Sequence, residues 1–123
     1  MVITHGRIAG EALLAQSLLA EKGIRVGIIL AEVIKPYDAL AERIREALSA
    51  VDCPIVTLEE EIRAGGFGML LWDKLAAFPE FSARKHAIMA LDDNFAEQTR
   101  DENIYKTAGV DAERVAKTVF SLL

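Results

Sequence analysis

The chain has 123 residues, 52% of them apolar, with 14 basic and 19 acidic side chains and a formal net charge of −5. That length and apolar fraction suit one domain with a real core, spanning residues 1–123. The acidic balance, with no basic run or arginine stripe, argues against a nucleic-acid partner, and the apolar runs stop well short of the ~18 residues that a membrane-spanning helix needs.

Val2–Gly6 is short, apolar and stopped by glycine, which predicts a strand. Over Arg7–Gly23, Ile8, Ala12, Ala15 and Leu19 recur on one stripe with Leu14 and Leu18 beside it, which predicts a helix. Gly23 stands where a left-handed cap belongs. Ile24–Ile34 predicts a second strand with apolar residues on both faces, as in a strand covered by helices on two sides. Pro36 ends it, and Asp38 is placed to cap a helix whose buried stripe is Leu40, Ile44, Ala47 and Leu48.

Cys53–Glu60 predicts the third strand, Gly66–Phe78 a helix and Arg84–Asp92 the fourth strand. Thr99 with Glu102 three residues later forms a capping box, which starts a short helix that Gly109 stops. Asp111 then caps a last helix with Val115, Val119, Phe120 and Leu123 as its apolar residues. The order β-α-β-α-β-α-β-α-α predicts an α/β sandwich with a largely parallel sheet.

Cys53 is the only cysteine, so no internal disulfide can form, and MVITHGRIAG lacks the pattern of a secretory signal. Both fit a cytoplasmic protein. Cys53 precedes Pro54 and reads as a small core residue. His5, His86 and Cys53 show no zinc-ligand spacing. Asp92 and Asp93 are adjacent at a strand end, where side chains point to opposite faces, so they read as turn and cap residues. No serine occupies a G-x-S-x-G elbow, and Phe67 and Trp72 read as core or interface aromatics.

The segment VTLEEEIRAGGFGMLLW, residues 56–72, has the strand, glycine turn and helix of many phosphate sites. Residue identity rules out the two familiar motifs. Leu71 stands where a dinucleotide fingerprint needs its last glycine, and Met69 follows Gly68 where a P-loop needs lysine. Glu59, Glu60 and Glu61 also precede the helix start, where each carboxylate is stabilised by about 0.3–1 kcal/mol and would repel an anion. Glu59, Glu60, Gly65, Gly66, Phe67 and Gly68 are therefore candidates for an anion site or an interdomain contact, with glycines that allow close approach to a neighbour. No catalytic, cofactor-binding or metal-ligating residue emerges from spacing.

Three stretches carry a resemblance. Ile34-Lys35-Pro36-Tyr37-Asp38, then Val56-Thr57-Leu58-Glu59-Glu60 with Gly65-Gly66-Phe67-Gly68, stand in the order found in the C-terminal domain of the transketolase-like thiamine diphosphate enzymes. Asp92-Asp93-Asn94-Phe95, then Gln98-Thr99, then Gly109-Val110-Asp111-Ala112 are similar to the tail of the 1-deoxy-D-xylulose-5-phosphate synthase branch. Asp92 and Thr99 depart from that tail, which usually has proline and glycine there. The domain is shared with transketolase proper and with the β subunits of 2-oxoacid dehydrogenases.

The resemblance implies a three-layer α/β/α sandwich with a mostly parallel, mixed sheet whose first strand is antiparallel. It implies an accessory domain, inactive alone, of a transferase that joins pyruvate and glyceraldehyde 3-phosphate in isoprenoid precursor synthesis. The thiamine diphosphate and magnesium of such an enzyme belong to other domains, and no Gly-Asp-Gly motif occurs here, so no cofactor is expected on this chain. The partners implied are the other domains or subunits of that enzyme, and a homodimer is compatible. Met1 lies directly at the first strand, which favours a fragment or a split gene. A free-standing module that binds a small anion at the Gly65–Gly68 turn is the competing expectation.

Overall fold

Successive residues of a strand point to opposite faces, and here each face of the sheet carries its own core. The computed structural model describes residues 1–94 and 104–123. In chain order these form β1 (Val2–Thr4), α1 (Ala9–Ala20), β2 (Ile28–Leu30), α2 (Tyr37–Ala47), β3 (Ile55–Ile62), α3 (Phe67–Leu75), α4 (Pro79–Ser82), β4 (His86–Leu91), α5 (Ile104–Ala108) and α6 (Ala112–Leu122). The sheet order is β2-β1-β3-β4.

Val2, Val56 and Leu58 join the core under α1 and α6, with Ile8, Ala12, Ala15, Leu19, Val115 and Val119. Ile3 and Ile55 join the opposite core under α2, α3 and α4, with Leu40, Ile44, Leu71, Leu75 and Phe81. The expected three layers are therefore present. The buried stripe of α1 is the one read from the sequence, and Gly23 has φ of 74° beyond its last turn. Glu11 ties the outer layer together, since its Oε2 accepts the Ala112 amide at the start of α6 at 2.7 Å. No helix among the described residues is long and apolar enough to cross a membrane.

Five expectations need correction. β1 is not antiparallel: it runs parallel to both β2 and β3. A helix follows each of β1, β2 and β3 before the next strand begins, and such crossovers return the chain in the same direction. β2 covers three residues rather than eleven, because it pairs only with the three residues of β1 and lies at the sheet edge. Asp38 does not cap α2. Pro36 is at the N-cap, and the Asp38 carboxylate lies 3.2 Å from Lys74 Nζ. On α2, Ala41 rather than Ala47 fills the buried stripe. Cys53 is only half-buried, at the amino end of β3 and 3.7 Å from the Met1 amino group. Asp111 caps α6 as expected, accepting the Arg114 amide at 3.2 Å. The Thr99–Glu102 capping box, Phe95 and Gln98 lie outside the described residues.

Candidate functional site

Parallel α/β sheets place ligands beyond the carboxyl ends of the strands, at the point where the strand order reverses. In the order β2-β1-β3-β4 that point lies between β1 and β3. His5, Gly6 and Arg7 leave β1 there, and Glu59, Glu60 and Glu61 end β3 beside them. α3 starts just after, so its N-terminal amides face the same region.

Alternation along β3 divides the three glutamates. Glu59 follows Ile55 and Thr57 on the α3 side and is completely buried. Its Oε1 accepts the Gly68 amide at 2.9 Å. Oε2 of Glu59 and Oγ1 of Thr57 are both buried with no hydrogen-bond partner among the described residues. Burial pushes the Glu59 carboxyl above the usual carboxylate range; the Gly68 amide opposes that shift, and the nearby Glu61 charge adds to it. Glu60 points to the other face, where its Oε1 accepts from Arg7 Nε at 2.9 Å and from the Tyr105 hydroxyl at 2.8 Å. Glu61 Oε2 lies 3.2 Å from His5 Nε2. The His5 ring in turn packs on Phe67, with centroids 4.6 Å apart.

The glycines explain how α3 comes so near β3. A Cβ on Gly68 would collide with Thr57 Oγ1 and stand 2.8 Å from both Glu59 Oε1 and Ile88 Cγ2. A Cβ on Gly66 would collide with the Ile62 carbonyl oxygen and stand 2.5 Å from Glu59 Oε2. The close approach read from the sequence is thus an approach of the helix to its own strand. Gly65 differs: it is exposed, has φ of 74° and has open space around its Cβ position.

Of the six candidate residues, Glu59, Gly66, Phe67 and Gly68 are buried together, Glu60 is half-buried and Gly65 faces outward. Spacing had not singled out Thr57, His5, Arg7 or Tyr105. The period of two was the available signal, because it places Thr57, Glu59 and Glu61 on one side of β3. The pairing of Arg7 and Tyr105 with Glu60 spans 53 and 45 residues of chain and has no local signature.

This arrangement fills the α3 side of the reversal point with the chain's own side chains, while on the other face Arg7, Glu60, Ile62, Leu91, Ile104 and Tyr105 line a cavity of about 400 Å³. Two glutamates bridge to the β1 exit, and the third occupies the field of the α3 N-terminus. A model of the transketolase C-terminal domain family matches residues 1–115. The chain belongs to the transketolase C-terminal domain family. Within it, this domain is 33% identical over 122 residues to 1-deoxy-D-xylulose-5-phosphate synthase of Syntrophotalea carbinolica, a match covering 97% of this chain and 18% of that protein. The synthase of Clostridium botulinum is 34% identical over 122 residues, covering 98% of this chain and 19% of that one. The chain thus spans less than a fifth of these relatives' length. Its fold matches that of a solved split gene transketolase, an inactive beta4 tetramer, with a TM-score of 0.77 at 22% identity over 99% of this chain and 38% of the other.

Among the described residues of this transketolase C-terminal domain, no side-chain set suits a magnesium–diphosphate group. Among the described residues no three His, Cys, Asp or Glu side chains gather to hold a metal. The helix start that would face a diphosphate instead faces the buried Glu59.

Proposed function

We propose that this chain is the accessory C-terminal domain of a thiamine diphosphate-dependent transferase of the 1-deoxy-D-xylulose-5-phosphate synthase type. It serves either inside a longer polypeptide or as a separately encoded subunit, in the cytoplasm, and is not catalytic alone. Its role is to brace the cofactor-binding parts of the enzyme, which combines pyruvate with glyceraldehyde 3-phosphate for isoprenoid precursors. The observation that carries this reading is the match to synthases of that name along 97–98% of the chain. The buried Glu59 supports it, since it occupies the α3 helix start that a small anion would otherwise use. The bracing contact uses the exposed rim of the turn, where Glu61, Ile62, Arg63 and Gly65 project around the buried glycines.

Calorimetric titration of the purified chain with thiamine diphosphate and magnesium tests the reading. No binding heat is expected, and micromolar binding would overturn the accessory role. Adding the chain to a synthase truncated before this domain is expected to raise its activity. No gain there would overturn the assignment to that enzyme.

A further inference from the structure

A guanidinium is ordinarily left in water or set against a carboxylate. Arg7 pairs with Glu60, and Arg45 with Glu42 and Glu80. Arg84 is placed differently. Its side chain is only 9% exposed, and its guanidinium carbon lies 4.3 Å from the centre of the Phe81 ring. Nε donates to the Glu80 carbonyl oxygen at 3.0 Å. Nη1 is buried and has no hydrogen-bond partner among the described residues. The Glu80 carboxylate is committed to Arg45 at 2.6 Å. Asp52 comes no nearer than 3.9 Å to Nε, and its side chain is 98% exposed. Arginine does not shed its proton in proteins. A buried guanidinium with a free donor is therefore relieved by an acceptor, not by titration.

Arg84 also lines a cavity of about 280 Å³. Asp52, Cys53 and Pro54, which precede β3, line it with Lys85, which precedes β4, and Leu122 at the end of α6. The cavity thus lies at the amino ends of the strands, opposite the reversal point. Lys85 Nζ donates to the Leu122 carbonyl oxygen at 3.1 Å, which brings a second cation to the lining with donors to spare. Two cations and one solvent-directed carboxylate make the charge of the lining side chains positive, on a chain whose formal net charge is −5. Pockets for drug-sized ligands run to about 300–1,000 Å³, so this one suits something smaller.

We propose that the cavity binds a small oxyanion, a carboxylate or a phosphate group, with the Arg84 guanidinium as its fixed ligand and Lys85 as a second donor. Phe81 holds the plane of the guanidinium and Glu80 occupies Nε, which leaves Nη1 and Nη2 as the donors. That pair forms the fork to which carboxylate and phosphate oxygens bind. Pro54 and Leu122 add apolar surroundings, in which a charge-assisted bond is stronger than in water. The site owes nothing to the glycine turn, where Glu59 already accepts the Gly68 amide. It does not depend on which enzyme the domain serves.

Nitrogen–proton correlation spectra of the intact chain, titrated with inorganic phosphate or with acetate at fixed ionic strength, test it. Saturable movement of the Lys85 amide and the Arg84 Nε–H signal is expected with at least one probe. No saturable movement with either probe up to about 100 mM overturns the proposal. Saturation by only one probe supports the site and identifies the oxyanion it prefers. Arg84→Gln should abolish the response. Lys85→Glu reverses an exposed charge and keeps the test open if Arg84→Gln fails to fold. It should weaken binding by about tenfold. Lys106→Glu makes the same charge change on α5, toward the other end of the sheet, and should leave binding unaltered. Saturation that survives both cavity substitutions, or that falls equally in Lys106→Glu, overturns the proposal.

Discussion

The amide of Gly68 donates to the buried carboxylate of Glu59 at 2.9 Å, so the first turn of α3 is bonded to the strand beneath it. That contact exists because residue 68 has no side chain. Gly68→Ala would push a methyl group against Thr57 Oγ1, Glu59 and Ile88. Overpacking of this kind costs about 1–3 kcal/mol. Gly65→Ala meets open space and costs only the left-handed backbone penalty, about 1 kcal/mol. Urea unfolding should rank the two variants in that order; equal losses would mean that α3 can lift from β3 at no cost.

Glu59 should also make stability depend on pH. Its carboxyl is raised in the folded chain, mainly by burial. The folded state therefore holds the proton more tightly than the unfolded state. The resulting stabilisation is complete below the unfolded carboxylate value and is lost as pH rises through the folded value. Glu59→Gln removes the titration and keeps an oxygen to accept the Gly68 amide. The variant should be the more stable chain at pH 7.5, with the difference shrinking or reversing near pH 4. Paired urea midpoints at the two pH values measure it, and a difference that does not change with pH would contradict the sign.

Arg7 and Tyr105 both donate to Glu60, but in different surroundings. The Arg7 side chain is 78% exposed. Arg7→Ala should cost little stability, and that small loss should fade in 1 M salt. The Tyr105 hydroxyl bond is partly buried and uncharged on the donor side. Tyr105→Phe should cost about 0.5–1.5 kcal/mol and change little with salt. Burial, followed by the Glu60 hydrogen bond, raises the Tyr105 hydroxyl, so its ultraviolet titration should shift down toward the ordinary tyrosine range in Glu60→Gln.

Leu71 has no exposed surface, while Phe120 is largely exposed. Leu71→Ala should cost about 2–5 kcal/mol of folding stability through lost burial and a cavity. Phe120→Ala should stay within about 0.5 kcal/mol. Thermal melts of the two variants beside the parent chain separate the two.

The layers and most of the core could be read from periodicity, because Ile8, Ala12, Ala15 and Leu19 repeat at helical spacing and Val115 and Val119 do the same. Local spacing failed where tertiary pairing decides. Ile24 and Val26 have strand-like spacing and pack on the core, but no neighbouring strand extends far enough to pair with them, so β2 stops at three residues. Phe120 is apolar like Val115 and Val119, yet it is exposed on the side of α6 turned away from them. At the candidate site, the helix-start field and its acidic neighbours were legible. The burial of Glu59 was not: three adjacent glutamates look alike in sequence, and only the pleat of β3 sends one of them inward.

That inward carboxylate acts as a tethered competitor. It is attached to the strand beside the amides it occupies, so its local concentration at the α3 start is on the order of millimolar or more. A dissolved anion seeking those amides must displace it and leave a buried charge without a donor. Phosphate added to the purified chain is therefore expected to leave the Gly68 amide resonance unmoved, and a saturable shift would show that the carboxylate can be displaced.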